Sequence, residues 1–172
     1  MSLIVIVKKL REATARKSQN RYRIPIDLRY VTRVQSDGIA HVGDLIHAID
    51  FDAPEGTPIY AGLAGVVIDV KDDSRIGGLE QSFEEFGNYV EILHKNGEVS
   101  EYEHLKFRSS FVHIGDQVAT GQMIAEVGNT GWSECPHLHF MVYPKDSPYK
   151  TLEITFEQPL ESLIYHSSLY EA

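Results

Sequence analysis

The 172-residue sequence has one cysteine, Cys135, and one tryptophan, Trp132. A lone cysteine excludes an internal disulfide and a thiolate-built zinc site, and it leaves the redox compartment open. Cys135 is expected to be a small buried hydrophobe. Long apolar runs are also missing. The N-terminal Leu3-Ile4-Val5-Ile6-Val7 is only five residues, followed by Lys8-Lys9. It is too short for a transmembrane helix and in the wrong order for a signal peptide, so no transmembrane segment is expected and no export signal is visible. Basic residues are in deficit: 16 Lys and Arg face 25 Asp and Glu, a formal charge of −9. Phosphate binding needs a basic surface that releases counterions, so nucleic acid is excluded as a partner.

What remains is an ordinary globular composition, 42% hydrophobic and 24% charged, and a length that suits one domain with a proper core. Residues 1–22 carry six Lys and Arg against one Glu and read as a basic arm or helix. Residues 23–158 read as one β-rich domain, with its motifs concentrated in 39–143, and 159–172 as a short helix and tail. Tyr22 to Val34 is expected to be an irregular edge strand, because Pro25 interrupts its apolar residues. Beyond it, short Val-, Ile- and Tyr-rich segments alternate with Gly, Asn and Asp turns. They include Gly65–Val70, Tyr89–His94 and Met123–Val127, and Lys95-Asn96-Gly97-Glu98 is a hairpin signal. The pattern predicts a mainly β, antiparallel sandwich or barrel-like fold with short terminal helices. Lys71 to Glu85 reads as a polar insertion at the surface, suited to a groove wall.

Chemistry-bearing residues cluster in three places. His137-Leu138-His139-Phe140 puts two histidines on one face of a strand and two apolar residues on the other. His41, His47 and Asp50 precede a Pro/Gly-rich turn, and Tyr102-Glu103-His104-Leu105 adds another imidazole. Two histidines and a carboxylate are a common catalytic zinc set, which leaves a coordination position open. His94 reads as a hydrogen-bonded structural residue, and His113 and His166 as solvent-facing.

The ordered series His41-x-Gly43 to Asp50-Phe51, Ala53-Pro54-x-Gly56-Thr57-Pro58-Ile59, Gly65-Val66-Val67, Phe86-Gly87-Asn88-Tyr89-Val90, Tyr102-x-His104-Leu105, Val118-x-x-Gly121-Gln122, Gly128-Asn129-Thr130-Gly131 and His137-Leu138-His139-Phe140 resembles the lysostaphin-like (LytM-type) zinc metalloendopeptidases. The match runs from about Ile39 to Tyr143. The resemblance implies a lysostaphin-type fold, one zinc ion per chain, and hydrolysis of peptide bonds in peptidoglycan stem peptides or cross-bridges, in the periplasm or cell envelope. It places zinc on His41, Asp50 and His139. His104 and His137 are then the acid/base and oxyanion groups, with the order of their roles open. Asn88, Asn129, Thr130 and Trp132 are candidates for the substrate groove.

The first ligand departs from the commonest family pattern, in which histidine stands four residues before the aspartate; here that position is Ile46. His47, three residues before Asp50, is the alternative ligand. Its odd spacing sends it to the opposite face of a regular strand, so it would need a bulge. His41 keeps the His-x-Gly and requires that Asp44 to Ala48 form a small excursion. Two other function classes compete. One is a catalytically silent peptidoglycan-binding or regulatory module of the same fold, against which the complete ligand set argues. The other is a lipoyl- or biotinyl-like carrier, suggested by His113 to Gln122, which lacks the acceptor lysine at its hairpin tip.

Overall fold

A computed structural model describes residues 16–36 and 41–158. The helix expected from Pro159 to Tyr165 and most of the basic arm lie outside these residues. In chain order the strands are β1 (Lys17–Tyr22), β2 (Arg33–Gln35), β3 (Ile49–Asp52), β4 (Pro58–Tyr60), β5 (Gly65–Lys71), β6 (Gly77–Gly78), β7 (Tyr89–Leu93), β8 (Glu98–Glu103), β9 (Gln117–Val118), β10 (Met123–Glu126), β11 (Gly131–Trp132), β12 (His137–Pro144) and β13 (Glu153–Phe156). Seven of them form one antiparallel sheet in the order β2-β3-β12-β8-β7-β5-β9. Three two-stranded sheets surround it: β4 with β10 is antiparallel, while β1 with β13 and β6 with β11 are parallel.

The two faces of the large sheet are chemically different because the side-chain period of a strand is two. Phe51 on β3, Val90 and Ile92 on β7, Tyr102 on β8, and Leu138, Phe140 and Val142 on β12 are fully buried, and they form the main core with Ile59 and Ile124. The residues between them face the other way. In register across that second face lie Asp50, His139, Glu103, Tyr89 and Lys71. Polar chemistry therefore sits directly on a rigid platform, a strand width from the apolar core that holds it.

At the chain's N-terminal side the structure corrects the expected arm or helix, because Lys17 to Tyr22 is a strand. Its basic composition concealed two anchors. Tyr22 is fully buried, and the Glu98 carboxylate accepts hydrogen bonds from Gln19 N (2.6 Å), Asn20 N (3.3 Å), Asn20 Nδ2 (2.7 Å) and the Tyr22 hydroxyl (3.0 Å). The edge strand expected over 22–34 is shorter than its apolar content implied. Arg33–Gln35 pairs at the sheet edge, but Leu28–Tyr30 is a 3-10 turn capped by Asp27, whose side chain accepts from Arg29 N at 3.0 Å.

The insertion is more ordered than a polar surface loop. Gly77–Gly78 pairs with Gly131–Trp132, Gln81–Phe86 forms a 3-10 helix, and Trp132 Nε1 donates to Leu79 O at 2.9 Å. Cys135 is half-buried rather than buried. It occupies the turn before β12, where its carbonyl oxygen rather than its thiol makes the structural contact described below.

Candidate metal centre and its acid/base pair

Three side chains from three chain segments converge above the β3–β12 pairing. Asp50 and His139 are directly opposed in register, and Asp50 Oδ1 lies 2.7 Å from His139 Nδ1. His41 Nε2 completes the triangle, 3.1 Å from Asp50 Oδ1 and 3.4 Å from His139 Nδ1. All three residues are buried. Tetrahedral donors bound to zinc at about 2.0–2.1 Å stand about 3.3 Å apart, so these separations fit such an ion, with the Asp50–His139 edge on the short side. The donor set, two imidazoles and one carboxylate, is zinc chemistry too.

His41 reaches the centre from nine residues before Asp50. Between them Gly43–Leu45 turns as a 3-10 helix, Gly43 taking φ +59°, and Leu45 N and Ala48 N close successive turns on Val42 O and Leu45 O. His47 lies in that excursion and not in β3, with its backbone N–H donating to Thr151 Oγ1 at 3.0 Å. Among the described residues, the groups of three converging donors are His41, Asp50, His139 and His104, His137, His139. His47 belongs to neither.

The second group shares His139 with the first. The His104 and His137 rings are 4.5 Å apart, and His104 and His139 5.7 Å. Their tautomers follow from what each Nδ1 meets. His104 Nδ1–H donates to Thr130 O at 2.7 Å, and His137 Nδ1–H to Cys135 O at 2.8 Å with Ser133 Oγ at 3.2 Å. Each Nε2 is left as the lone-pair nitrogen, and His137 Nε2 stands 3.8 Å from Asp50 Oδ1.

His104 reaches this face by breaking the alternation of β8. After Glu103 a regular strand would send residue 104 to the core side with Tyr102, but His104 adopts φ +62°, a left-handed conformation rare for a side-chain-bearing residue. Such strain costs about 1–3 kcal/mol and concentrates at functional sites. The facing turn is correspondingly tight: Gly131, at φ +80°, leaves no room for a side chain, since a Cβ there would lie 2.7 Å from Gly87 Cα and 3.4 Å from His104 Nδ1.

The electrostatics follow from burial. Burial would raise the Asp50 pKa, but hydrogen bonds from His139 and His41 outweigh it and hold the carboxylate ionised far below its usual range. For His139 burial works downward, and the Asp50 hydrogen bond and charge reverse it, raising its pKa. His104 has no such partner. Burial, then the His137 and His139 charges, push its pKa well down and keep it neutral.

Of the proposed groove residues, the structure places Asn88 and Thr130 inside the protein. Asn88 is fully buried; its Oδ1 accepts from Ser74 N, and its Nδ2 donates to Ser74 O and Leu105 O. Thr130 Oγ1 accepts from Asn88 N and donates to Leu105 O. With their side chains committed, these two position the loops that carry His104. Asn129 and Trp132 remain accessible, and Asn129 Oδ1 accepts from Ser133 Oγ at 2.7 Å. Ser133 was not legible as a site residue, since nothing in the sequence signals its proximity to His137. His94 is buried between Ala64 O and Ser100 Oγ, and His113 is exposed.

Known proteins share this arrangement of sequence. Residues 45–151 match the family model described as peptidase family M23, a span that includes Asp50, His104, His137 and His139 and begins just after His41. Over 121 residues the chain is 35% identical to the DD-carboxypeptidase/endopeptidase Mpg of Neisseria meningitidis serogroup B, covering 70% of this chain and 25% of that protein. It is 38% identical over 114 residues to the peptidoglycan DD-endopeptidase ShyC of Vibrio cholerae serotype O1, covering 64% and 23%. The chain thus spans about a quarter of the length of these curated relatives. Among solved structures, a zinc containing peptidase from Vibrio cholerae superposes with a TM-score of 0.57 at 27% identity, covering 81% of this chain and 41% of that one. With more than half its length matched and its buried histidines and aspartate drawn to one point, the chain belongs to peptidase family M23.

Proposed function

We propose that the protein is a zinc metalloendopeptidase that hydrolyses peptide bonds in peptidoglycan, in stem peptides or cross-bridges, and that it acts outside the cytoplasm. The observation that carries this reading is the sharing of His139 between two groups. One is a donor triangle suited to zinc, and the other is a pair of imidazoles whose Nδ1 atoms are tied to backbone oxygens. His41, Asp50 and His139 would hold one zinc ion per chain, with His41 rather than His47 as the first ligand. Zinc, when bound, supplies Lewis acidity that polarises a carbonyl and lowers the pKa of water toward about 7.

The chain's own residues do the rest. Thr130 O and Cys135 O fix the two imidazoles so that their Nε2 atoms address the same space. With both Nε2 atoms unprotonated at the outset, one accepts the proton of the attacking water, and the other donates to the oxyanion or to the leaving amine only once it carries a second proton as imidazolium. Trp132 and Asn129 flank the peptide at the groove. The relative named as a peptidoglycan DD-endopeptidase supports the substrate class, and the extracytoplasmic setting follows from that substrate, since peptidoglycan lies outside the cytoplasm. The net charge of −9 gives no long-range attraction to an anionic wall, so affinity has to come from the groove.

The test is zinc quantitation on purified protein, combined with digestion of peptidoglycan and mass spectrometry of the fragments. Zinc near one per chain with new amino termini supports the enzyme. Stoichiometric zinc with intact muropeptides refutes it.

A further inference from the structure

The catalytic face of the sheet carries four carboxylates that the proposed chemistry does not use. Glu103 pairs with His139, Glu101 follows it two residues down β8, Glu91 is opposite Glu101 on β7, and Asp69 is opposite Glu91 on β5. Alternation places all four on the side of His139 and away from Tyr102, Val90 and the core. Neighbouring strands are about 5 Å apart and alternate residues about 7 Å apart, so this acidic field begins beside the candidate centre and extends about two residues of an extended peptide from it.

Acidic clusters are common on surfaces, but this one is incomplete from within. Asp69 accepts from the Tyr89 hydroxyl at 3.0 Å and Glu91 from the Tyr143 hydroxyl at 2.8 Å, both neutral donors. Among the described residues, no lysine, arginine or histidine forms an ion pair with any of the four. Lys71, in the same register row as Glu103, donates to the Glu85 carbonyl and, like His139 and His137, acts on Glu103 through its charge without an ion-pair contact. Glu101 is only 4% exposed, and its Oε2 has no hydrogen-bond partner. A buried acceptor left unmatched costs about 1–3 kcal/mol, more when charged.

We propose that Glu101, Glu103, Glu91 and Asp69 form a subsite for an ammonium group of the bound peptide, with Glu101 at its floor. The proposal rests on the reading of the adjoining centre as a peptidase site. Asp69, Glu91 and Glu103 are half-buried and so keep partial contact with solvent, and exposed Tyr149, its ring 5.6 Å from that of Tyr143 and tilted 40° to it, lies close to all four carboxylates. The chemistry selects the ligand. These carboxylates contribute to neither group of converging metal donors, whereas an ammonium carries three N–H donors and a charge, and can satisfy several acceptors at ordinary hydrogen-bond lengths. Burial, followed by the Glu103 and Glu91 charges, pushes the Glu101 pKa well up, against a smaller lowering by the Tyr143 hydroxyl that Glu101 shares with Glu91, a conflict that an incoming cation relieves. A side-chain amine and the peptide's own amino terminus both present such an ammonium, and acetylation separates the two.

The experiment uses the full chain loaded with zinc and peptides of one sequence in three forms: free, acetylated at the side-chain amine, and acetylated at the amino terminus. The wild type should show kcat/KM at least about tenfold higher for the free peptide than for one acetylated form, chiefly through KM, in line with a charge-assisted hydrogen bond. The form that loses identifies the amine. In Glu101→Gln that ratio should collapse toward one, and Glu91→Gln, at a half-buried position, serves if the first variant does not fold. Equal rates for all three peptides in the wild type, or an undiminished ratio in the folded variants, overturns the subsite. If no peptide is cleaved, the peptidase reading fails by itself. Calorimetric binding of the same peptides then decides the subsite: tighter binding of the free form that Glu101→Gln abolishes supports it, and equal binding overturns it.

Discussion

Replacing His41 and His47 separately tests which of them completes the metal centre. His41 Nε2 lies 3.1 and 3.4 Å from the other two donors, so His41→Ala leaves only Asp50 and His139 to bind zinc. Loss of a partner merely hydrogen-bonded to a ligand weakens metal binding about 10- to 100-fold; loss of a ligand should cost at least about 100-fold. At free zinc about 100 times the wild-type Kd, binding to the folded state adds about 2.7 kcal/mol. For a chain of this size that raises Tm by about 5–10 °C. A 100-fold weaker site at the same zinc concentration retains about 0.4 kcal/mol, or about 1–2 °C. The assay is thermal unfolding of each protein with and without buffered zinc. Taking the shift within each variant cancels any destabilisation caused by emptying the buried His41 position. His47→Ala should shift like the wild type and His41→Ala almost not at all. A full zinc shift in His41→Ala with none in His47→Ala would falsify the ligand assignment.

His104→Ala and His137→Ala should bind zinc normally and lose about 100- to 10,000-fold in turnover; near-complete activity in either, measured on a muropeptide substrate, removes that residue from the mechanism. Glu98→Gln should destabilise the fold by about 2–3 kcal/mol, read as a lower urea midpoint at unchanged slope, because one carboxylate holds four donors on β1. A loss under about 1 kcal/mol would show that β1 is held by its pairing with β13 instead. Burial depresses the pKa of His94 below the ordinary 6.5, so the unfolded chain takes up that proton first. The His94 contribution is therefore present above about pH 6.5 and lost as pH falls below it. Between pH 7.5 and 5.5 the wild type should lose more stability than His94→Gln, and parallel urea midpoints for the two proteins would contradict this.

The sequence by itself determined a good deal about this protein. Period-two alternation in His137–Phe140 assigned the two imidazoles to one face and Leu138 and Phe140 to the core, as found, because strand geometry fixes that relation locally. The ordered motifs from Asp50 to Phe140 identified the family for the same reason, since short-range turn and strand chemistry is written in adjacent residues. Where the local signal was ambiguous, contacts distant in sequence decided the outcome. Basic residues 17–22 form a strand because a carboxylate 76 residues or more away at Glu98 accepts their donors. Asn88 and Thr130, whose types suit peptide binding, are instead consumed by each other, Ser74 and Leu105. Tertiary structure alone decided the rest. His139 lies 98 residues from His41, and only the excursion over Gly43 brings them together. His104 faces the site through a left-handed backbone that opposes strand parity. The orphaned oxygen of Glu101 is visible only once β5, β7, β8 and β12 are in register, because a buried carboxylate's lack of a partner is a property of everything packed around it.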